Sequence, residues 1–125
     1  MGAFKLAATS CSPEVVLDIE NGRFVISGES YPQDVYEVYQ PILEWIEQHK
    51  DQIPEKAEFH FYLEYFNTTS FKAILEVLSK LDELYNQGKE IQVKWLYSTE
   101  DDDMESAGQE YADLVDVPVQ LEAID

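Results

Sequence analysis

From Lys56 to Phe66 the chain alternates. Ala57, Phe59, Phe61, Leu63 and Tyr65 fall on one face of a strand, and Glu58, His60, Tyr62 and Glu64 on the other. A strand with one apolar face needs a cover, and the next segment supplies it. Phe71, Ile74, Leu75, Leu78, Leu81 and Tyr85 recur at the spacing of one helix face, and Gly88 predicts the stop. Alternation then returns, with Ile91, Val93, Trp95 and Tyr97 on one side and Gln92 and Lys94 on the other. Strand, helix and strand in that order imply a crossover, with the two strands parallel and the helix over the sheet. The rest of the chain has to be built around this unit.

Upstream, residues 15–19 and 23–27 are β-prone runs separated by Glu20-Asn21-Gly22, and Asn-Gly predicts a hairpin. Ser30-Tyr31-Pro32-Gln33-Asp34 predicts a helix start with Pro32 near the first turn. Val35, Val38, Ile42, Trp45 and Ile46 carry that helix to about Lys50. Pro41 lies inside it, removes one backbone donor and predicts a kink or a restart. Downstream, residues 100–103 read as a loop and residues 104–115 as a third helix, with Ala107, Tyr111 and Leu114 or Val115 inward. Val119, Leu121 and Ala123 form the inner face of a last strand after Pro118. The order is β-β-α-β-α-β-α-β. Three crossovers of one hand, with polar residues on the backs of the strands (Asp18, Glu58, His60, Gln92, Lys94, Gln120, Glu122), predict an α/β fold. Its sheet is mixed, with helices on one face and the other face partly open. No linker, repeat or low-complexity stretch interrupts the chain, so residues 1–125 read as a single domain, with residues 1–12 as a loose N-terminus.

Eight Lys and Arg stand against 26 Asp and Glu, a formal net charge of −18. Such a surface repels phosphate backbones and anionic lipid, and it favours protein partners that present basic patches. No nucleic-acid partner and no membrane insertion are expected, since no apolar run approaches the length of a span. Ala8-Thr9-Ser10-Cys11 has the outline of a lipoprotein box, but the apolar stretch before it is short and broken by Lys5. The single cysteine, Cys11, excludes an internal disulfide and fits a reducing compartment, so a cytoplasmic protein is expected.

The motifs of common catalysis are missing. There is no glycine-rich phosphate loop, no paired cysteine, no zinc-protease helix and no nucleophile elbow. His49 lies near a helix C-terminus and His60 on the wetter face of a strand, neither with a nucleophile or metal-ligand spacing beside it. Glu100, Asp101, Asp102, Asp103 and Glu105 lack the alternation and the glycine of a calcium loop, and they read as an acidic loop feeding a helix N-terminus. No catalytic residue, metal site or cofactor is expected.

Phe66-Asn67-Thr68-Thr69-Ser70-Phe71 joins the alternating strand to the second helix. With Asn67 as N-cap, Phe66 and Phe71 have the spacing of a hydrophobic staple, and Thr68, Thr69 and Ser70 occupy the first three helical positions. Two readings are open. One is redundant capping. The other is a phosphorylation switch: free N–H groups and the positive end of the helix dipole tolerate a phosphate, with Lys72 four residues after Thr68.

Three segments carry a resemblance over about residues 12–124: Gly28-Glu29-Ser30-Tyr31-Pro32, the run from Leu63 to Ala73 that holds Asn67-Thr68-Thr69-Ser70, and the run from Gly88 to Trp95. In them the chain resembles the SiaC-like regulatory phosphoproteins of bacteria, a family similar in fold to the STAS anti-sigma-factor antagonists. The resemblance implies a STAS-like regulatory domain and no enzyme. It implies that Thr68 is phosphorylated by a dedicated serine/threonine kinase and dephosphorylated by a PP2C-type phosphatase, with Thr69 as the second choice and Asn67, Ser70 and Lys72 supporting the site. It further implies partner switching, in which the unphosphorylated form binds a signalling target such as a diguanylate cyclase and activates it. Thr69 stands where the pattern commonly has Ser, and Pro41 is a departure in the first helix. The alternatives are an anti-sigma-factor antagonist acting on an anti-sigma kinase, a small-molecule-binding domain using His60, Tyr62 and Glu64 on the open sheet face, and a structural subunit pairing through that face.

Overall fold

The computed structural model describes residues 3–124. Within them the elements run β1 (Phe4–Leu6), β2 (Glu14–Asp18), β3 (Arg23–Ser30), α1 (Val35–His49), β4 (Lys56–Phe66), α2 (Thr68–Asn86), β5 (Glu90–Ser98), α3 (Asp102–Leu114) and β6 (Val119–Ile124). One six-stranded sheet takes them in sequence order, β1-β2-β3-β4-β5-β6. The first three strands are antiparallel neighbours and β3 to β6 are parallel, so the sheet is mixed. The hairpin closes from Asp18 opposite Arg23, with Gly22 at φ 64° where a side chain would be strained. Each crossover advances one strand in the same direction. A common right hand therefore sets α1, α2 and α3 on one face.

The core lies between that face and the helices. Val15, Leu17, Phe24, Ile26, Phe59, Phe61, Leu63, Ile91, Val93 and Trp95 from the strands meet Ile42, Ile46, Ile74, Leu78 and Leu81 from the helices, all buried. Trp95 is its largest member, with no exposed surface. Its ring lies 5.2 Å from Tyr111, 5.9 Å from Phe61 and 6.2 Å from Phe66, and its indole N–H donates to the Met104 carbonyl at 2.9 Å. Burying an indole of this kind is worth about 4–6 kcal/mol on area alone. Gly108 of α3 lies against the indole ring, and a Cβ there would overlap it.

Beside this aromatic cluster, Ser30, Ser70 and Tyr39 form a buried chain of hydroxyls. Ser30 Oγ donates to Ser70 Oγ at 2.8 Å, so the Tyr39 hydroxyl, 2.7 Å away, must donate to Ser30. Burial pushes the Tyr39 hydroxyl up to about 12, against a smaller opposite pull from Ser30, and it stays protonated in neutral solution. These three groups tie the end of β3 to α1 and to the first turn of α2.

Several expectations change. The N-terminus is not loose at Phe4–Leu6, which forms an edge strand against β2 because Phe4 and Leu6 pack on the core. Helix α1 starts later than Ser30 and Pro32 suggest: Ser30 still belongs to β3, and Asp34 caps the helix by accepting from the Glu37 N–H. The helix runs on through Pro41. The cost of a proline there, about 3 kcal/mol, is offset by Tyr39, Ile42, Leu43, Trp45 and Ile46, which seat the helix on both sides of Pro41. Leu114 and Ala123 face outward, and Val115 and Val117 take the inward places near the end of α3.

The largest change is in β4. Gly28 pairs with Leu63, but Glu29 pairs with Tyr65, so Glu64 is an extra residue, a β-bulge. Beyond it the faces exchange: Tyr65 points out at 53% exposure and Phe66 turns in against the core. Gly28, at φ 114°, adopts the backbone conformation on the partner strand that other residues resist.

Three outcomes are expected. Gly108→Ala should destabilise by about 1–3 kcal/mol through overpacking, seen as a lower denaturant midpoint at unchanged slope. Ser30→Ala leaves the buried Tyr39 hydroxyl without its acceptor and should cost a further ~1–3 kcal/mol in the same assay. Glu47 bridges α1 and α2 through Lys80 at 3.0 Å and also meets Lys50 at 2.8 Å; hydrogen bonds from Lys50 and then Lys80 pull its carboxyl down to about 2 from 4.5. A depressed folded-state value stabilises above the unfolded one and loses that contribution on acidification. The stability gap between parent and Glu47→Gln should therefore be full near neutrality and shrink as pH falls from about 4.5 to about 2.

Candidate functional site

The ends of β3 and β4 and the start of α2 meet at one tip of the sheet. Asn67 leaves β4 with extended backbone (φ −95°, ψ 179°) and caps α2. Its side-chain oxygen accepts from the Ser70 N–H at 3.0 Å and from the Thr69 hydroxyl at 3.1 Å. Its own N–H donates to the Ser30 carbonyl at 3.1 Å, which pins the cap to β3. Phe66 and Phe71 meet edge to face at 6.1 Å, the staple expected from their spacing. Phe71 in turn stacks on Tyr111 of α3 at 4.6 Å, and the Tyr111 hydroxyl donates to the Phe71 carbonyl at 2.9 Å.

The three hydroxyls of the first turn have three different fates. Ser70 has no exposed surface and belongs to the buried chain with Ser30 and Tyr39, so its part is structural. Thr69 is exposed, but its hydroxyl is held by Asn67. Thr68 is exposed, and among the described residues its hydroxyl has no hydrogen-bond partner. It lines an open depression of about 260 Å³ with Phe66, Asn67, Phe71 and Glu110. Lys72, one turn on, is exposed and forms no ion pair among the described residues.

The electrostatics of this helix end differ from those of its neighbours. Glu37 sits in the first turn of α1, and Asp102, Asp103 and Glu105 in the first turn of α3, where Asp101 caps by accepting from the Met104 N–H. The first turn of α2 holds no acidic residue. The positive end of α2 thus has no carboxylate from its own first turn, and the acid that lines the depression beside it, Glu110, comes from α3.

The other sequence candidates are not brought to this site. His60 lies on the open sheet face with its Nε2 2.8 Å from Glu58. His49 stacks on Trp45, with Nδ1 2.8 Å from the Trp45 carbonyl. Cys11 is half-buried near the edge of the sheet, its carbonyl accepting from the Tyr31 N–H at 2.7 Å. Among the described residues no group of His, Cys, Asp and Glu is placed to hold a metal, and no helix is long and apolar enough to cross a membrane. Sequence reasoning missed Glu110 as a neighbour of Thr68 and Tyr111 as the partner of Phe71, because nothing local links α3 to this loop. It also missed Tyr65 as an exposed ring, which only the bulge turns outward.

Comparison with known proteins is consistent with this geometry. The chain is 26% identical over 125 residues to an uncharacterised protein of Pseudomonas aeruginosa strain UCBPP-PA14, covering 100% of this chain and 99% of that one. The crystal structure of apo-SiaC from Pseudomonas aeruginosa superposes with a TM-score of 0.88 at 25% identity, over 98% of this chain and 100% of that chain. A structure of the Pseudomonas aeruginosa diguanylate cyclase SiaD in complex with its activator SiaC contains the same fold, with a TM-score of 0.88 at 24% identity over 97% of this chain and 99% of that one. The sequence model of the SiaC family regulatory phosphoproteins matches residues 6–124. With that match spanning almost every described residue, the chain belongs to the SiaC family of regulatory phosphoproteins.

Proposed function

We propose that this chain is a phosphorylation-switched adaptor whose unphosphorylated form binds a diguanylate cyclase in the cytoplasm and activates it. The acceptor is Thr68. A dedicated serine/threonine kinase transfers the γ-phosphoryl group of ATP to its Oγ1, releasing ADP and a proton, and a PP2C-type phosphatase returns the hydroxyl by hydrolysis to free phosphate. The observation that carries this reading is the sorting of the three hydroxyls: one sealed, one held by the cap, and Thr68 alone both exposed and without a hydrogen-bond partner among the described residues. The positive end of α2, with no acid in its own first turn, supports it, since an added charge of about −1.5 to −2 is locally tolerated there. The SiaC protein found with the cyclase SiaD supports the choice of target.

The fold is built to survive the change. The cap, the staple and the hydroxyl chain use Asn67, Phe66, Phe71, Ser30, Ser70 and Tyr39, and none uses the Thr68 hydroxyl. The partner feels it instead. A phosphate would place its charge over a depression floored by Phe66 and Phe71 and edged by Glu110, closing an apolar contact and repelling an acidic one. The enzyme that acts here is the partner; this chain serves as substrate of the kinase and regulator of the cyclase.

Treating the protein with its host kinase and mapping the phosphopeptide should place the phosphate on Thr68. Thr68→Ala should resist the kinase and still activate the cyclase. Thr68→Glu should keep the parent's melting behaviour and bind the cyclase at least about tenfold more weakly, the equivalent of about 1.4 kcal/mol. Equal activation by parent and Thr68→Glu, or phosphate found elsewhere, would overturn the proposal.

A further inference from the structure

The β4 bulge has a second product on the opposite side of the strand from Thr68. Tyr65, turned outward, meets Tyr31 edge to face at 5.6 Å and an interplanar angle of 70°. The two rings are exposed at 53% and 40%, an unusual state for paired aromatics in a folded domain. They are also held in place. Tyr31 is fixed by its N–H to the Cys11 carbonyl at 2.7 Å and by the buried Pro32 that follows it, and Tyr65 by its pairing with Glu29 across the bulge. A rigid aromatic pair loses little entropy when something lands on it.

The Glu29 carboxylate lies against Tyr31, and the chain on either side of both rings carries no cation. Tyr31 and Glu29 belong to residues 24–49, and Tyr65 and Glu64 to residues 57–71, and neither stretch contains a Lys or Arg. Negative ring faces flanked by carboxylates attract a planar cation, which stacks on the ring while its N–H groups meet the acids.

We propose that Tyr31 and Tyr65, with Glu29 and Glu64, form an anchor for an arginine-bearing segment of the protein target. The inference rests on the adaptor reading above and adds a second point of contact to it. Phe66 and Phe71 floor the Thr68 depression on the helix side of β4, whereas the tyrosine pair lies on the open side. The anchor therefore stays attractive whether or not Thr68 carries phosphate. It supplies affinity and encounter rate, and the depression at Thr68 supplies the switch.

The test is binding of the host's SiaD-type diguanylate cyclase to the full-length protein. Tyr31→Ser combined with Tyr65→Ser should weaken binding of the unphosphorylated protein about tenfold, while Tyr31→Phe with Tyr65→Phe, which keeps both rings, should stay within about threefold of the parent. Glu29→Gln with Glu64→Gln should slow association and flatten its decline with added salt. Melting curves matched to the parent separate loss of contact from loss of fold, and if the serine pair unfolds the glutamine pair decides: an association rate and salt dependence equal to the parent's then overturn the anchor. Binding of a folded serine pair within about twofold of the parent, alongside loss in Thr68→Glu, overturns the anchor and leaves the switch standing. So does a phenylalanine pair as weak as the serine pair. No binding of the parent to the cyclase overturns both.

Discussion

One extra residue in β4 governs the tip of this molecule. Parallel pairing of β3 with β4 runs in register up to Gly28 opposite Leu63 and resumes with Glu29 opposite Tyr65. Because side chains alternate with a period of two, inserting Glu64 exchanges the two faces for everything beyond it. Without the bulge, Phe66 would point to the open face and could not staple Phe71, and Tyr65 would lie in the core. With it, Phe66 joins Trp95, Phe71 and Tyr111 in one aromatic cluster. The chain then enters α2 at an angle that lets Asn67 cap the helix.

That entry is held from below by polar contacts in an otherwise apolar core. The Tyr39–Ser30–Ser70 chain is satisfied along its length, and no buried side-chain nitrogen or oxygen among the described residues lacks a partner. A buried polar network satisfied in this way favours one arrangement of the elements it joins, since any slip leaves hydroxyls stranded. Here it joins β3, α1 and the first turn of α2. The exposed threonine above it is thus presented on a rigid base. In the proposed switch, a charge added at that point would have little in the fold to disturb, because neither the cap nor the hydroxyl chain uses the Thr68 hydroxyl.

Much of the fold was legible in the chain. The alternation in β4 and β5 and the helical spacing from Phe71 to Leu81 are strong periodic signals, and Asn21-Gly22 and Gly88 mark their turns by backbone conformation. Asn67 as cap and the Phe66–Phe71 staple were legible too, because capping is decided within a few residues. The edge strand at Phe4–Leu6 was not, since three residues carry too little pattern and gain their order only from β2. Nor was the unbroken helix through Pro41, where burial of Tyr39, Ile42 and their neighbours outweighs a local penalty.

The sequence by itself determined the element order from the first hairpin onward, the one-sided sheet, the acidic charge and the identity of the hydroxyl-rich helix start, because each follows from spacing or composition over a short window. Only the tertiary structure decided which of three adjacent hydroxyls is sealed, which is held by the cap and which is left exposed without a partner among the described residues, which tyrosine faces out and that Glu110 lies beside Thr68. Those outcomes depend on contacts between residues about 40 positions apart, such as Ser30 with Ser70 and Tyr111 with Phe71, and on a register shift that no local pattern encodes.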